Sequence, residues 1–140
     1  MSFLLDTNIL SELRKKARAN PGVMAWLETA TEDDLFLSVL SLGEIRQGIE
    51  SVASKDPAQS RALERWLTDI TTSFADRVLP VSAEIAEEWG RIQARKTFPA
   101  VDALLAATAI VHGLTLVTRN ARDFRGTGAT LLEPFSSARN

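Results

Sequence analysis

The 140-residue chain contains no cysteine. Disulfides, thiolate metal sites and a cysteine nucleophile are therefore excluded, and the absence suits a reducing compartment. Histidine occurs once, as His112, so a histidine-rich metal centre cannot be built, and its position before Gly113 fits a helix end favoured by the macrodipole. No Gly-x-x-x-x-Gly-Lys phosphate loop and no Gly-x-Ser-x-Gly elbow occurs, which removes two common catalytic frameworks. An excess of positive charge is also missing: 16 Lys and Arg stand against 18 Asp and Glu, a net charge of −2. Bulk charge does not mark a general nucleic-acid binder, and a polyanion would have to be met by local basic clusters. The amino terminus, Met-Ser-Phe-Leu-Leu-Asp, has no basic region and too short an apolar run for a signal peptide, so a cytoplasmic address is expected.

What is present is an ordinary globular composition, 45% hydrophobic and 24% charged, from which one domain over 1–135 and a frayed tail over 136–140 are expected. Short apolar runs at Ser2–Leu5, Leu35–Val39, Val78–Val81, Leu114–Thr118 and Thr130–Leu132 read as strands. Between them lie helices with legible starts. Asn20-Pro21 and Asp56-Pro57 each place a cap before a proline of the first turn, Ser41 opens a helix carrying Ile45 and Ile49, and Ser82 opens an acidic-first helix ending in Arg91, Arg95 and Lys96. Pro99 starts a further helix that Gly113 stops. Alternating apolar strands and helices predict an α/β domain: a central, mostly parallel sheet of four to five short strands flanked by helices.

From Thr97 to Thr118 the only formally charged side chain is Asp102. The stretch has the roughly 20-residue length of a membrane span, but Asp102, the threonines, His112 and Gly113 oppose insertion, and no membrane association is expected. A lone acid among Ala, Leu, Val and Ile needs a partner, because an unpaired buried charge is strongly unfavourable. The chain offers other acids instead. Asp6 ends the first strand, Asp123 lies in the loop after Leu114–Thr118, Glu44 falls in the first turn after the second strand, and Asp102 in the first turn of its own helix. In parallel sheets, ligands bind outside the carboxyl ends of the strands, where these acids can meet.

Each acid also has a structural reading. Asp6 serves as a helix cap, Glu44 completes a capping box with Ser41, Asp123 is a turn residue, and Asp102 complements a helix dipole. Trp26, Trp66 and Trp89 fall on apolar helical faces and read as core rather than base-stacking platforms. Clustered carboxylates, however, cannot all ionise in a low-dielectric site without cations, and all-oxygen ligands select hard ions such as magnesium or manganese. Such an ion acidifies water and neutralises charge on a leaving oxygen, and two ions about 4 Å apart stabilise both ends of a phosphodiester displacement.

The segments LLDTNILSE (4–12), SVLSLGEIRQGI (38–49), VDALLAATA (101–109) and LVTRNARDF (116–124) together resemble the PIN-domain family, and within it VapC-type toxins, over nearly the whole chain. The resemblance implies an endoribonuclease dependent on one or two Mg²⁺ or Mn²⁺ ions, the toxin of a type II toxin-antitoxin pair. It implies that Asp6, Glu44, Asp102 and Asp123 are the catalytic, metal-holding quartet, with Thr7, Asn8, Thr118 and Asn120 as the polar residues beside them. It further implies a homodimer, and a small antitoxin whose carboxyl-terminal segment covers the active site within a larger heteromer. Val23, Met24 and Trp26 fit either part of that antitoxin groove or the core.

RNA backbone contacts are expected from Arg119 and Arg122 beside Asp123, from Arg46, and from Arg14 in the cluster Arg14-Lys15-Lys16 with Arg18, a cluster that also suits a helix carboxyl end. Two other classes remain as alternatives. A phosphoacceptor or phosphatase domain would also place acids at strand ends, but one such family wants a second acid where Asn8 stands, and another wants paired acids and a lysine where the chain offers Asp6 alone and Arg119. A non-catalytic PIN-like RNA-binding module is the other, and an intact acidic quartet weakens it.

Overall fold

A computed structural model describes residues 1–135; the expected frayed tail at 136–140 lies outside the described residues. Five strands, β1 (Phe3–Leu5), β2 (Leu35–Ser38), β3 (Val78–Leu79), β4 (Thr115–Val117) and β5 (Thr130–Leu132), alternate with six helices. The helices are α1 (Thr7–Arg14), α2 (Pro21–Thr29), α3 (Val39–Val52), α4 (Pro57–Phe74), α5 (Ala83–Arg95) and α6 (Ala100–His112). The strands lie in the order β3-β2-β1-β4-β5, and every pairing is parallel. From β1 the chain first builds outward through β2 to β3, then crosses to the other side of β1 to place β4 and β5. The β1–β4 junction is therefore the switch point of the sheet, and in open parallel sheets ligands bind at the strands' carboxyl ends beside such a point.

Strand alternation divides the core in two. Leu4, Phe36 and Leu116 point to the layer of α5 and α6, where Ile85, Ile92, Ala106 and Phe124 are buried. Leu5, Leu37 and Val117 point to the opposite layer, with Ile9, Leu10, Val23, Ile45 and Ile70 from α1 to α4. Full burial of each such side chain is worth roughly 1.5–3 kcal/mol, and the run of alanines in α6 lets that helix sit close to the sheet. Among the described residues no helix is long and apolar enough to cross a membrane.

Two sequence expectations change and one pair of open alternatives is decided. The third strand stops at Leu79 rather than Val81, because Pro80 has no N–H to donate to a ladder. Helix α3 begins at Val39, capped by the Ser38 side chain accepting from Leu40 N–H, so Ser41 is not a cap: it is fully buried inside the helix, and its hydroxyl finds no partner among the described residues. Val23 is fully buried and Trp26 meets Phe3 edge-on with ring centroids 5.1 Å apart, which assigns this part of α2 to the core. The helix starts at Pro21 and Pro57 and the stop at Gly113 fall where expected, the last with φ 66°.

Two glycines with open space around their Cβ positions give a paired test. Gly113→Ala should lower stability by about 1 kcal/mol, because alanine tolerates the left-handed conformation poorly. Gly90→Ala, on the exposed side of α5, should raise it by about 0.5–1 kcal/mol through helix propensity alone. Thermal or denaturant melts of the two variants should move in opposite directions.

Candidate metal and catalytic site

Asp6 follows β1 directly, and its N–H continues the sheet by donating to Val117 O at 2.9 Å. Its carboxylate is buried at the β1–β4 junction. One oxygen accepts from Thr7 N–H at 2.7 Å, which makes Asp6 the cap of α1 as well. The other accepts from Thr118 Oγ1 at 2.9 Å and from Asn8 Nδ2 at 3.3 Å. Thr118 ends β4, and its hydroxyl in turn accepts from Asn120 N–H at 3.0 Å. Asn8 Oδ1 accepts from Arg119 N–H at 3.1 Å, so one side chain orients Asp6 and pins the start of the loop that carries Asp123. The capping reading of Asp6 holds and is compatible with the functional one, since a single carboxylate can do both.

Glu44 is exposed in α3, and its Oε1 accepts from Thr7 Oγ1 at 2.5 Å. The capping-box reading of Glu44 fails because its supposed partner Ser41 is not at the helix start; the tie runs to α1 instead. Asp102 stands half-buried in the first turn of α6, and Asp123 is exposed in a 3-10 turn after β4. Neither carboxylate accepts a hydrogen bond from the described residues, and none of the four acids forms an ion pair there.

Electrostatics link them. Burial pushes the Asp102 carboxyl above the ordinary value, and the negative charges of Asp6, Asp123 and Glu44 push it further the same way. Burial also raises Asp6, against the opposing pull of the hydrogen bonds from Thr118, Thr7 N–H and Asn8. Four acids from four separate segments therefore share one field. They are not drawn into a closed cage, since no group of three or more His, Cys, Asp or Glu among the described residues is tight enough to grip an ion as it stands. The donor set nevertheless fits a hard divalent cation: it is all carboxylate oxygen, Asp102 and Asp123 accept no hydrogen bond from the described residues, and those residues pair no cation with the four acids.

Of the residues read as RNA contacts, Arg119 and Arg122 line a cavity of about 500 Å³ together with Asn120, Asp123, Arg125 and Glu133. The Arg119 guanidinium lies 4.8 Å from the Phe135 ring centroid. Arg14 lies 5.3 Å from the Trp66 ring centroid at the far end of α1. Arg46 is engaged differently: it forks onto Glu64 with two 2.7 Å bonds and reaches Glu50 at 3.3 Å, tying α3 to α4.

Sequence reasoning missed Glu12. It is almost fully buried, accepting from Lys15 Nζ at 3.1 Å and from Asn20 N–H at 2.6 Å. Burial alone would raise its carboxyl, but those two bonds, with the charges of Lys15 and Arg119, hold it below the ordinary range. A charged residue one turn before a basic cluster carries no local sign that it is turned inward.

The chain belongs to the PIN domain family, whose model matches residues 3–129. It is similar to VapC ribonuclease Y4jK of Sinorhizobium fredii, 29% identical over 144 residues that cover 97% of this chain and 99% of that protein. It is similar to Toxin FitB of Neisseria gonorrhoeae, 31% identical over 138 residues that cover 95% of this chain and 98% of that protein. The crystal structure of FitAcB from Neisseria gonorrhoeae superposes with a TM-score of 0.84 at 30% identity, covering 94% of this chain and 97% of that one.

The upward shifts at Asp102 and Asp6 have a definite sign in stability. Between the ordinary carboxylate range and the raised native values the folded protein holds protons that the unfolded chain releases, so stability from these groups falls as pH rises through that window and stays low above it. In chelator at neutral pH, Asp102→Asn should melt at a higher temperature than the unaltered protein, and the gap should narrow on acidification below about pH 4. A lower melting temperature at neutral pH would mean that Asp102 acts as a dipole stabiliser.

Proposed function

We propose that the protein is a metal-dependent endoribonuclease, the toxin of a toxin-antitoxin pair, and that Asp6, Glu44, Asp102 and Asp123 are its metal-holding catalytic residues. The observation that carries the site is the convergence of three negative charges on half-buried Asp102 with no cation of the described residues among them. Membership of the PIN domain family and likeness to a ribonuclease and a toxin over almost the whole chain support the activity.

A hard divalent cation, magnesium or manganese, supplies Lewis acidity toward a phosphodiester and countercharge for its developing negative charge when bound there. Asp6 provides a fixed oxygen, since three hydrogen bonds set the carboxylate's orientation before any ligand arrives. Thr118 orients Asp6 and is itself fixed by Asn120 N–H. Thr7 holds Glu44 toward α1. Asp102 and Asp123 keep their oxygens free for the ion or for water approaching the phosphorus, and the apolar wall of α6 limits the freedom of Asp102. Arg119 and Arg122 beside Asp123 offer cations to flanking phosphates. Attack by water leaves 5′-phosphate and 3′-hydroxyl ends.

A cytoplasmic homodimer held inactive by a small antitoxin completes the reading. A basic antitoxin side chain laid among the four acids would supply the countercharge that a metal otherwise brings, with an arginine best suited to grip carboxylates in pairs.

Incubation of the purified chain with total RNA and magnesium or manganese should give cuts that vanish in chelator and in Asp6→Asn. Metal-independent cuts, or cuts retained by Asp6→Asn, would refute the assignment. Thr118→Val removes only the orienting hydroxyl and should lower activity about 10- to 100-fold, the usual cost of losing a group that positions a metal ligand, while the melting profile stays cooperative.

A further inference from the structure

A second charged feature lies one helix length from the acids. Between the carboxyl end of α1 and the side of α4 runs an open cleft of about 740 Å³ lined by Arg14, Lys15, Lys16, Arg18, Arg65 and Trp66 among others, with Asp69 the one acid on its wall. Lys15 is tied to Glu12. Arg14, Lys16, Arg18 and Arg65 are exposed and form no ion pair among the described residues. On a chain of net charge −2 this is a local concentration of unneutralised cations. A helix dipole accounts for Arg14 at the end of α1 but not for Arg65, which reaches the same cleft from the middle of α4.

Its geometry is specified by the fold. The chain turns out of α1 through Lys16 at φ 56°, a left-handed conformation sparsely populated by lysine, and a 3-10 turn over Lys16–Arg18 follows. Buried Glu12 anchors both sides of this turn through Lys15 Nζ and Asn20 N–H. Trp66 lies beneath the Arg14 guanidinium, which is thereby presented to the cleft in a stacked position. The cleft also connects to the acids. Arg119, in the loop beside Asp123, is near enough for its charge to act on Glu12, the carboxylate that anchors the turn beside the cleft. Helix α1 has eight residues, about 12 Å, or roughly three nucleotides of a stacked strand.

We infer that this cleft is an RNA backbone site: Arg14, Lys16, Arg18 and Arg65 take phosphates of the strand that flanks the scissile bond, with Arg119 as the link between cleft and acids. The inference rests on the ribonuclease reading. A flat solvated face would not need a strained turn and a buried carboxylate beneath it, and cations outnumber the single acid on the cleft wall, which favours a polyanion.

Binding of a 5′-labelled, mixed-sequence single-stranded RNA, followed by fluorescence anisotropy in chelator from 50 to 300 mM KCl, tests the inference without cleavage (ranges set by the counterion-release regime). The combined variant Lys16→Gln, Arg18→Gln, Arg65→Gln should lower the magnitude of the slope of log K against log salt by about 2, and Arg65→Gln alone by about 0.7. Lys55→Gln, Arg91→Gln, Lys96→Gln removes the same charge from positions that do not line the cleft and should leave the slope unchanged. An unaltered slope in the cleft variants, or an equal fall in the control, would overturn the inference. So would cleft variants that keep RNA binding and lose only binding of an acidic peptide. Metal-dependent cleavage by the unaltered protein, measured in parallel, separates the outcomes: cleavage with an unchanged slope defeats the cleft alone, and no cleavage at all defeats the ribonuclease reading.

Discussion

The hydrogen bond from Thr118 to Asp6 joins the carboxyl ends of β1 and β4 at the one place where the order of the strands reverses. Everything at the site is referred to it. A buried carboxylate on a central strand needs donors, and the parallel pairing of β1 with β4 supplies a hydroxyl at the right height. Once Asp6 is fixed, its second oxygen caps α1, Asn8 gains a place between Asp6 and the Arg119 backbone, and the Asp123 loop acquires a fixed origin. The same residue that starts a helix thereby sets the position of a loop more than one hundred residues later in sequence.

Around that fixed point, the fold accumulates negative charge without neutralising it. Several positive side chains elsewhere are drawn into ion pairs, Arg46 with Glu64 and Glu50, Arg91 with Glu88, Lys15 with Glu12. The quartet receives none of them. Such an arrangement is unfavourable for the isolated fold and favourable for one that binds a cation, so it trades stability for a site that is ready for its ligand. On the proposed reading, the same deficit would let one site answer to a metal and to a basic antitoxin side chain, since both would bring positive charge to the same four carboxylates.

The alternation of apolar strands and capped helices made the architecture legible, because Asn20-Pro21, Asp56-Pro57, Ser82 and Gly113 are local signals that tertiary packing did not override. Asp6 and Asp102 were legible for a different reason: one sits at the end of an apolar strand and the other is the sole charge in a long apolar stretch. The capping-box alternative for Glu44 failed because two serines lie close to the start of α3: Ser38, just before it, is the cap, and Ser41 is buried inside its first turn. Asn120 acts on Thr118 through its backbone, which no side-chain pattern can announce. The commitment of Arg46 to α4 and the joining of Arg65 to the Arg14 cluster depend on helix–helix placement, and periodicity within one helix carries no information about its neighbour's register.

The central claim is that the four acids act as one cation-holding unit. A manganese(II) titration followed by electron paramagnetic resonance tests it most directly, since free and bound ion are counted without reference to RNA. The account predicts binding in the unaltered chain that weakens at least about tenfold in each of Asp6→Asn, Glu44→Gln, Asp102→Asn and Asp123→Asn, with losses that are not additive because the groups share one field. Binding that survives Asp6→Asn and Asp102→Asn together, or that is absent from the unaltered chain, would contradict it.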